Sequence, residues 1–298
     1  MRNNLNANKQ VRDNIADNHC SLRIAHCSLD SLPPVSEMMR ASGLEPKKQF
    51  GQNFLFDLNL TGRIARSVPD IESTAVIEVG PGPAGLTRAI LMAGAKRVIA
   101  IEKDKTTEPI LSQVIDASDG RLNVIFDDAL RVNFSELGVS EYAICANLPY
   151  NVGTELLIGW LHKIAAGEKI KSLTLMFQRE VAMRITARPG DEHYGRLAVL
   201  TSLIADSKIL FDVPNTAFVP RPKVQSAVVQ IIPNAEKIAH LRDLAKIEQL
   251  TAKLFGQRRK MIRAIMPNVD WVKYGLTGTE RAEKLSPETF ALMAHDLL

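Results

Sequence analysis

Long apolar runs are missing from this chain: no stretch approaches the roughly 18 residues needed to cross a bilayer, and the polar start has no signal-peptide h-region. The protein is therefore expected to stay in the cytoplasm, with no membrane partner. Cysteine is scarce as well. Cys20, Cys27 and Cys145 are the only three in 298 residues, too few for a disulfide framework and in keeping with a reducing compartment. A strong excess of one charge is absent too: the net charge is +4, so the clustering of basic residues matters more than their number. One local absence is sharper. Between Gln249 and Val269 there is no acidic residue, while Lys253, Arg258, Arg259, Lys260 and Arg263 are all basic, the composition of a phosphate-binding surface. Further basic positions, Lys47, Lys48, Arg179, Arg184, Arg188, Arg221 and Lys223, lie near the strands that carry the candidate site.

What is present is a globular composition, 46% hydrophobic, in a chain long enough for one large or two ordinary domains. Residues 1–36 are polar, show no sustained periodicity and end at Pro33-Pro34, which predicts a flexible extension that adds nothing to the core. Within it His19-Cys20-Ser21-Leu22 recurs as His26-Cys27-Ser28-Leu29, a spacing that matches no common zinc pattern, and no metal is expected. From about residue 75, β-branched runs alternate with helical patterns: Thr74 to Val79, Arg97 to Ile101, Leu122 to Phe126, Tyr142 to Ala146, and Ser172 to Phe177. Such alternation predicts an α/β fold, Rossmann-like, with a mostly parallel buried sheet. Lys208 to Val213 and Ser226 to Ile232 follow with no long helix between them, which favours an antiparallel pair at one edge. After Pro233 the strand signals stop. Lys246 to Phe255 and Pro287 to Leu297 carry helical spacing, the latter with Ser286 as N-cap, so a sheet domain over 37–233 and a small helical domain over 234–298 are expected.

Glu78-Val79-Gly80-Pro81-Gly82-Pro83-Ala84-Gly85 closes the first predicted strand and opens a helix, and its glycines satisfy G-x-G-x-x-G. That pattern serves dinucleotides, with Glu102 about twenty residues on as a ribose ligand, so an NAD-dependent oxidoreductase is one reading. S-adenosylmethionine is the other, since it has a ribose but no pyrophosphate. Glu78 and Glu102 place negative charge beside the loop, which suits a sulfonium cation. Asp127-Asp128, after the third strand, offer a carboxylate to an adenine amine.

Asn147-Leu148-Pro149-Tyr150 ends the fourth strand. Pro149 fixes its own φ and holds Leu148 extended, so the Leu148 carbonyl and the Asn147 amide oxygen can both accept from an exocyclic amine and draw its lone pair out of the ring. Tyr150 offers a stacking face, an interaction typically of about 1–3 kcal/mol per base. An ordinary Asn-Pro turn is the plain alternative. The motif, the loop and the acids all fall at carboxyl ends of strands, where open α/β sheets bind ligands.

From Lys47-Lys48-Gln49-Phe50-Gly51-Gln52-Asn53-Phe54-Leu55 nearly to its end, the chain resembles the bacterial small-subunit rRNA adenine dimethyltransferases, the KsgA family. The similarity is carried by that segment, by Glu78 to Gly82, by Asn147 to Tyr150, by Pro214 to Val229, and by Phe255-Gly256-Gln257-Arg258-Arg259-Lys260. It implies a class I methyltransferase sheet followed by a helical RNA-binding domain, in a protein expected to be a monomer. It implies that S-adenosylmethionine is contacted by Asn53, Leu55, Gly80, Glu102, Asp128 and Asn147, and that Phe218 faces Tyr150 across the target base. Catalysis would then rest on Asn147, Leu148, Pro149, Tyr150 and Phe218, and RNA binding on Arg221, Lys223, Arg258, Arg259, Lys260 and Arg263. The implied substrate is adenine in 16S rRNA of the small ribosomal subunit. One departure stands out: Ala84 occupies a position where the family often has Gly, which is tolerable if its φ is negative. The large-subunit rRNA methylases of macrolide resistance and a non-catalytic ribosome-assembly factor are the other readings.

Overall fold

Strands β2 (Ala75–Val79), β3 (Val98–Glu102), β4 (Leu122–Phe126), β5 (Tyr142–Asn147) and β6 (Ile170–Gln178) run parallel because most are apolar on both faces and need cover on each. The structure is a computed structural model that describes residues 28–46 and 52–298. Before these strands comes the short β1 (Phe54–Leu55); after them come β7 (Ala205–Val213), β8 (Phe218–Val219) and β9 (Ser226–Pro233). Seven strands form one sheet in the order β4-β3-β2-β5-β6-β9-β7, with β9 antiparallel to both β6 and β7. β1 and β8 form a separate antiparallel pair, Leu55 opposite Phe218.

Alternation along β5 shows how the sheet is covered. Tyr142, Ile144 and Ala146 join one apolar cluster with Leu157, Trp160 and Leu161 of the helix Gly153–Ala165, while Ala143 and Cys145 join the other with Ile64, Ile90 and Ile110. Each fully buried Leu or Ile contributes roughly 1.5–3 kcal/mol. Cys145 is buried and unpaired; His19, Cys20, His26 and Cys27 lie outside the described residues, as do Lys47 and Lys48.

Residues 28–36 depart from the expected extension. Leu29, Leu32 and Val35 are buried, followed by Met38 and Met39 on the helix Val35–Ser42. Their three-residue spacing is an apolar stripe that the polar neighbours and Pro33-Pro34 conceal in the sequence. Arg88, itself buried, donates through Nη1 to the Pro33 carbonyl at 2.6 Å and through Nη2 to the Leu29 and Leu32 carbonyls at 3.2 Å.

Beyond β9 lie the helices Ala235–His240, Leu244–Phe255, Ile262–Ile265 and Pro287–Leu297. Ser286 caps the last, its Oγ accepting from the Thr289 N–H at 3.2 Å. Phe255 stacks on Phe290 with ring centres 5.5 Å apart. Leu250, Leu254, Phe290 and Met293 belong to the same apolar cluster as Leu157 and Trp160, so the helical segment packs into the sheet's own core.

Candidate active site

The glycine loop is shaped by what presses on it. A Cβ on Gly82 would stand 2.9 Å from the Phe54 ring, and one on Gly85 2.7 Å from the Leu55 carbonyl oxygen. β1 therefore lies directly against the loop, and only glycine leaves room for it. Ala84 takes φ +65°, in the left-handed region, and is fully buried. The condition for tolerating alanine here, a negative φ, is not met; a non-glycine residue in this conformation costs roughly 1–2 kcal/mol.

Glu102, at the end of β3, is buried and tied to the loop: Oε2 accepts from the Gly82 N–H at 2.9 Å and Oε1 from the Asp104 N–H at 2.7 Å. Burial raises its pKa, those backbone bonds pull it back, and the charge of Asp104 raises it again. Glu78 is buried more deeply, and desolvation pushes it up to about 8. In the protein alone Glu78 is thus mainly protonated at neutral pH, and the negative charge expected from it beside the loop is not there. Asp128 holds its charge: Oδ2 accepts from Lys103 Nζ at 2.7 Å, Oδ1 accepts from the Leu130 N–H at 3.1 Å, and the Lys103 bond leads in lowering its pKa.

On the other wall, Asn147 Nδ2 donates to the Asn53 carbonyl at 3.1 Å, which turns the amide's donor side toward the β1 segment and leaves Oδ1 as its acceptor. Pro149 lacks an N–H, and its carbonyl accepts from Val152 at 3.2 Å and Gly153 at 3.0 Å, opening the following helix. The Tyr150 hydroxyl lies 2.7 Å from Ser226 Oγ. Burial raises the Tyr150 pKa, against the Ser226 bond.

One cavity of about 300 Å³ gathers these groups, lined by Asn53, Gly80, Glu102, Asp128 and Asn147 through Tyr150 among others. Leu55 and Phe218 are not in its wall. Both are buried in the β1–β8 pair, with Leu55 bordering a small pocket beside Glu78 and Asn147. Gln52, Phe54, Lys103, Asp104 and Asn151 line the cavity without having been expected there. Lys103 follows Glu102 directly, and Gln52 Nε2 donates to Asp104 Oδ2 at 3.2 Å, so adjacency to the acid at the end of β3 was the available signal.

Among the basic residues, Arg259, Lys260, Arg263 and Lys223 are exposed, and Arg221 is exposed with its Nε donating to Asn215 Oδ1 at 3.0 Å. Arg258 is spoken for: it pairs with Glu283 at 2.9 Å and donates to the Glu192 carbonyl. Arg179 and Arg184 likewise pair with Asp212 and Glu180. Among the described residues no helix is long and apolar enough to cross a membrane, and no group of three or more acids, histidines or cysteines is placed to hold a metal.

A doubly wound sheet ending in an antiparallel pair, with its cavity at the carboxyl ends of β2 to β5, defines a class I methyltransferase fold. The family model described as ribosomal RNA adenine dimethylase matches residues 43–297. The chain is 49% identical over 276 residues to a "Ribosomal RNA small subunit methyltransferase A" of Azorhizobium caulinodans, covering 90% of this chain and 94% of that one. It is 46% identical to the protein so named from Chelativorans sp., covering 91% of this chain and all of that one. In fold it is similar to a dimethyladenosine transferase from Plasmodium falciparum (TM-score 0.67, 24% identity, 80% of this chain and 94% of that one). A second fold relative is the 23S rRNA methyltransferase ErmE (TM-score 0.63, 24% identity, 82% and 99%). The protein belongs to the ribosomal RNA adenine dimethylase family. An NAD-dependent oxidoreductase is thereby set aside, in accord with the antiparallel pair that ends this sheet.

Proposed function

We propose that the protein transfers methyl groups from S-adenosylmethionine to N6 of two adjacent adenosines near the 3′ end of 16S rRNA, giving N6,N6-dimethyladenosine during small-subunit biogenesis. The observation that carries this is the single cavity with Glu102 and Asp128 on one side and Asn147 to Tyr150 on the other. Its residues fit the cofactor: a buried acid, Glu102, ends β3, a second carboxylate, Asp128, follows β4, and both line the cavity. When bound, S-adenosylmethionine supplies an electrophilic methyl.

The protein's own groups do the rest by positioning. Asn147 Oδ1 and the Leu148 carbonyl accept the two N6 hydrogens, so the nitrogen lone pair leaves the ring's conjugation and is free to attack. The bound cofactor would supply the methyl to that nitrogen, and the proton made acidic by methylation would pass to solvent. Tyr150 stacks on the base after it is splayed from its RNA. Phe218, placed by family resemblance on the opposite face, is buried in β8 here and would meet the base only after that segment shifts. Asn53, Gly80, Glu102 and Asp128 hold the cofactor, with Leu55 behind them. The helical segment 234–298, with Arg259, Lys260 and Arg263, binds RNA phosphates together with Arg221 and Lys223.

The relatives' shared name favours the small subunit over the large one, and the likeness to ErmE speaks for fold alone. To test the assignment, the protein is incubated with labelled S-adenosylmethionine and unmodified small subunits, beside large subunits and DNA. Label should enter small-subunit rRNA as dimethyladenosine, and Asn147→Ala should lower turnover about a hundredfold or more. Near-normal turnover by Asn147→Ala would sink the proposed grip. Cofactor binding without transfer to any RNA would point to an assembly factor instead.

A further inference from the structure

Ser226 begins β9, which lies between β6 and the edge strand β7, opposite Gln178 of β6 and Val213 of β7. Its side chain is fully buried in an otherwise apolar run, Ala227-Val228-Val229. A hydroxyl there costs roughly 1–3 kcal/mol unless it finds a partner. The partner is Tyr150, whose hydroxyl lies 2.7 Å away although Tyr150 follows β5, and β6 stands between β5 and β9. The phenol thus spans the carboxyl end of β6. Its ring is held at one end by a chain that Pro149 stiffens and at the other by Ser226.

Stacking on a base needs only the ring. The phenolic oxygen adds nothing to the π-face, so a tyrosine that spends its hydroxyl on a buried serine spends it on orientation. A ring already fixed in the stacking pose does not have to lose rotational freedom when the base arrives. We propose that Ser226 is a positioning residue for methyl transfer, its hydroxyl clamping Tyr150 as the pre-set face against which the target base stacks. This rests on Tyr150 being that face, as proposed above.

The test compares Ser226→Ala, Tyr150→Phe and the double variant, measuring kcat and KM on unmodified small subunits, cofactor affinity by calorimetry, and thermal unfolding. Each single variant should lower kcat/KM for RNA about five- to tenfold, the size of one lost hydrogen bond. Cofactor affinity should not change. The double variant should be no worse than either single one, because both remove the same bond. Ser226→Thr, which keeps a hydroxyl, should recover most of the loss. Wild-type kinetics in Tyr150→Phe, or losses that multiply in the double variant, would overturn the clamp, as would a Ser226→Ala that loses thermal stability with unaltered kinetics. Should Ser226→Ala fail to fold, Tyr150→Phe decides alone. Tyr150→Ala separates the two ideas: if it turns over normally, the stacking role itself fails; if it is inactive while Tyr150→Phe is normal, only the clamp fails.

Discussion

Glu78 shows how burial can remove a charge that composition suggests. Its carboxyl is pushed up to about 8 by desolvation, above the unfolded value of 4.5, so the folded state binds a proton that the unfolded state has released. The protonated carboxyl carries its full stabilising balance below the unfolded value, and that balance is lost as pH rises toward 8. Stability should therefore fall from about pH 5 to pH 8 in a titration of the melting temperature, and Glu78→Gln should flatten that fall. An equally steep fall in the variant would show that another group is responsible. Asp128 behaves in the opposite way, kept ionised by Lys103, which shows that carboxylates at neighbouring strand ends can differ in charge state through their surroundings alone. Asn147 to Tyr150 could be read from residue chemistry because every relevant constraint is local: a proline, an amide and a ring in four consecutive positions. Ser226 could not, because its partner is brought to it by sheet order.

At the scale of elements, the parallel strands were legible because their apolar runs are dense and bounded by turns, and the predicted boundaries of β4 match the observed Leu122–Phe126. The β1–β8 pair was not: two residues carry no periodicity, and their pairing partners are far apart in sequence. Residues 29–36 escape notice for a different reason, since the apolar stripe is thin and its polar atoms are satisfied from outside by Arg88. Replacing Arg88 by Leu would leave those carbonyls without their charged donor at a cost of about 3 kcal/mol. Urea unfolding should show that loss, and limited proteolysis should cut sooner ahead of Val35. A midpoint equal to wild type would mean that the segment is held by Leu29, Leu32 and Val35 without the arginine.

Over the whole molecule, the helices after residue 234 share a core with the sheet, so the surface proposed to meet RNA is fixed by packing with respect to the cavity. Arg258 ties the helical segment back through the Glu192 carbonyl and pairs with Glu283 rather than standing free. Charge reversal at Arg259 and Lys260 should weaken RNA binding and lower the slope of log affinity against log salt by about one for each phosphate that the variant no longer neutralises, with cofactor affinity intact. Filter binding over a salt series measures it, and an unchanged slope would remove this surface from the RNA interface. The basic cluster was legible as composition; the internal pairing of Arg258 was not, because Glu283 lies beyond the acid-free stretch.

The position of β9 also bears on the order of synthesis. The strands that build the cofactor half of the cavity, β2 to β5, are complete by residue 147, but β6 keeps an open edge until residues 226–233 emerge to fill the place between it and β7. A nascent chain therefore carries a long, apolar, unpaired edge through the translation of roughly fifty further residues, the kind of surface that invites wrong pairing. The same late strand brings Ser226 to Tyr150. The half that would meet RNA is thus the last to be made, and its arrival is what seals the sheet.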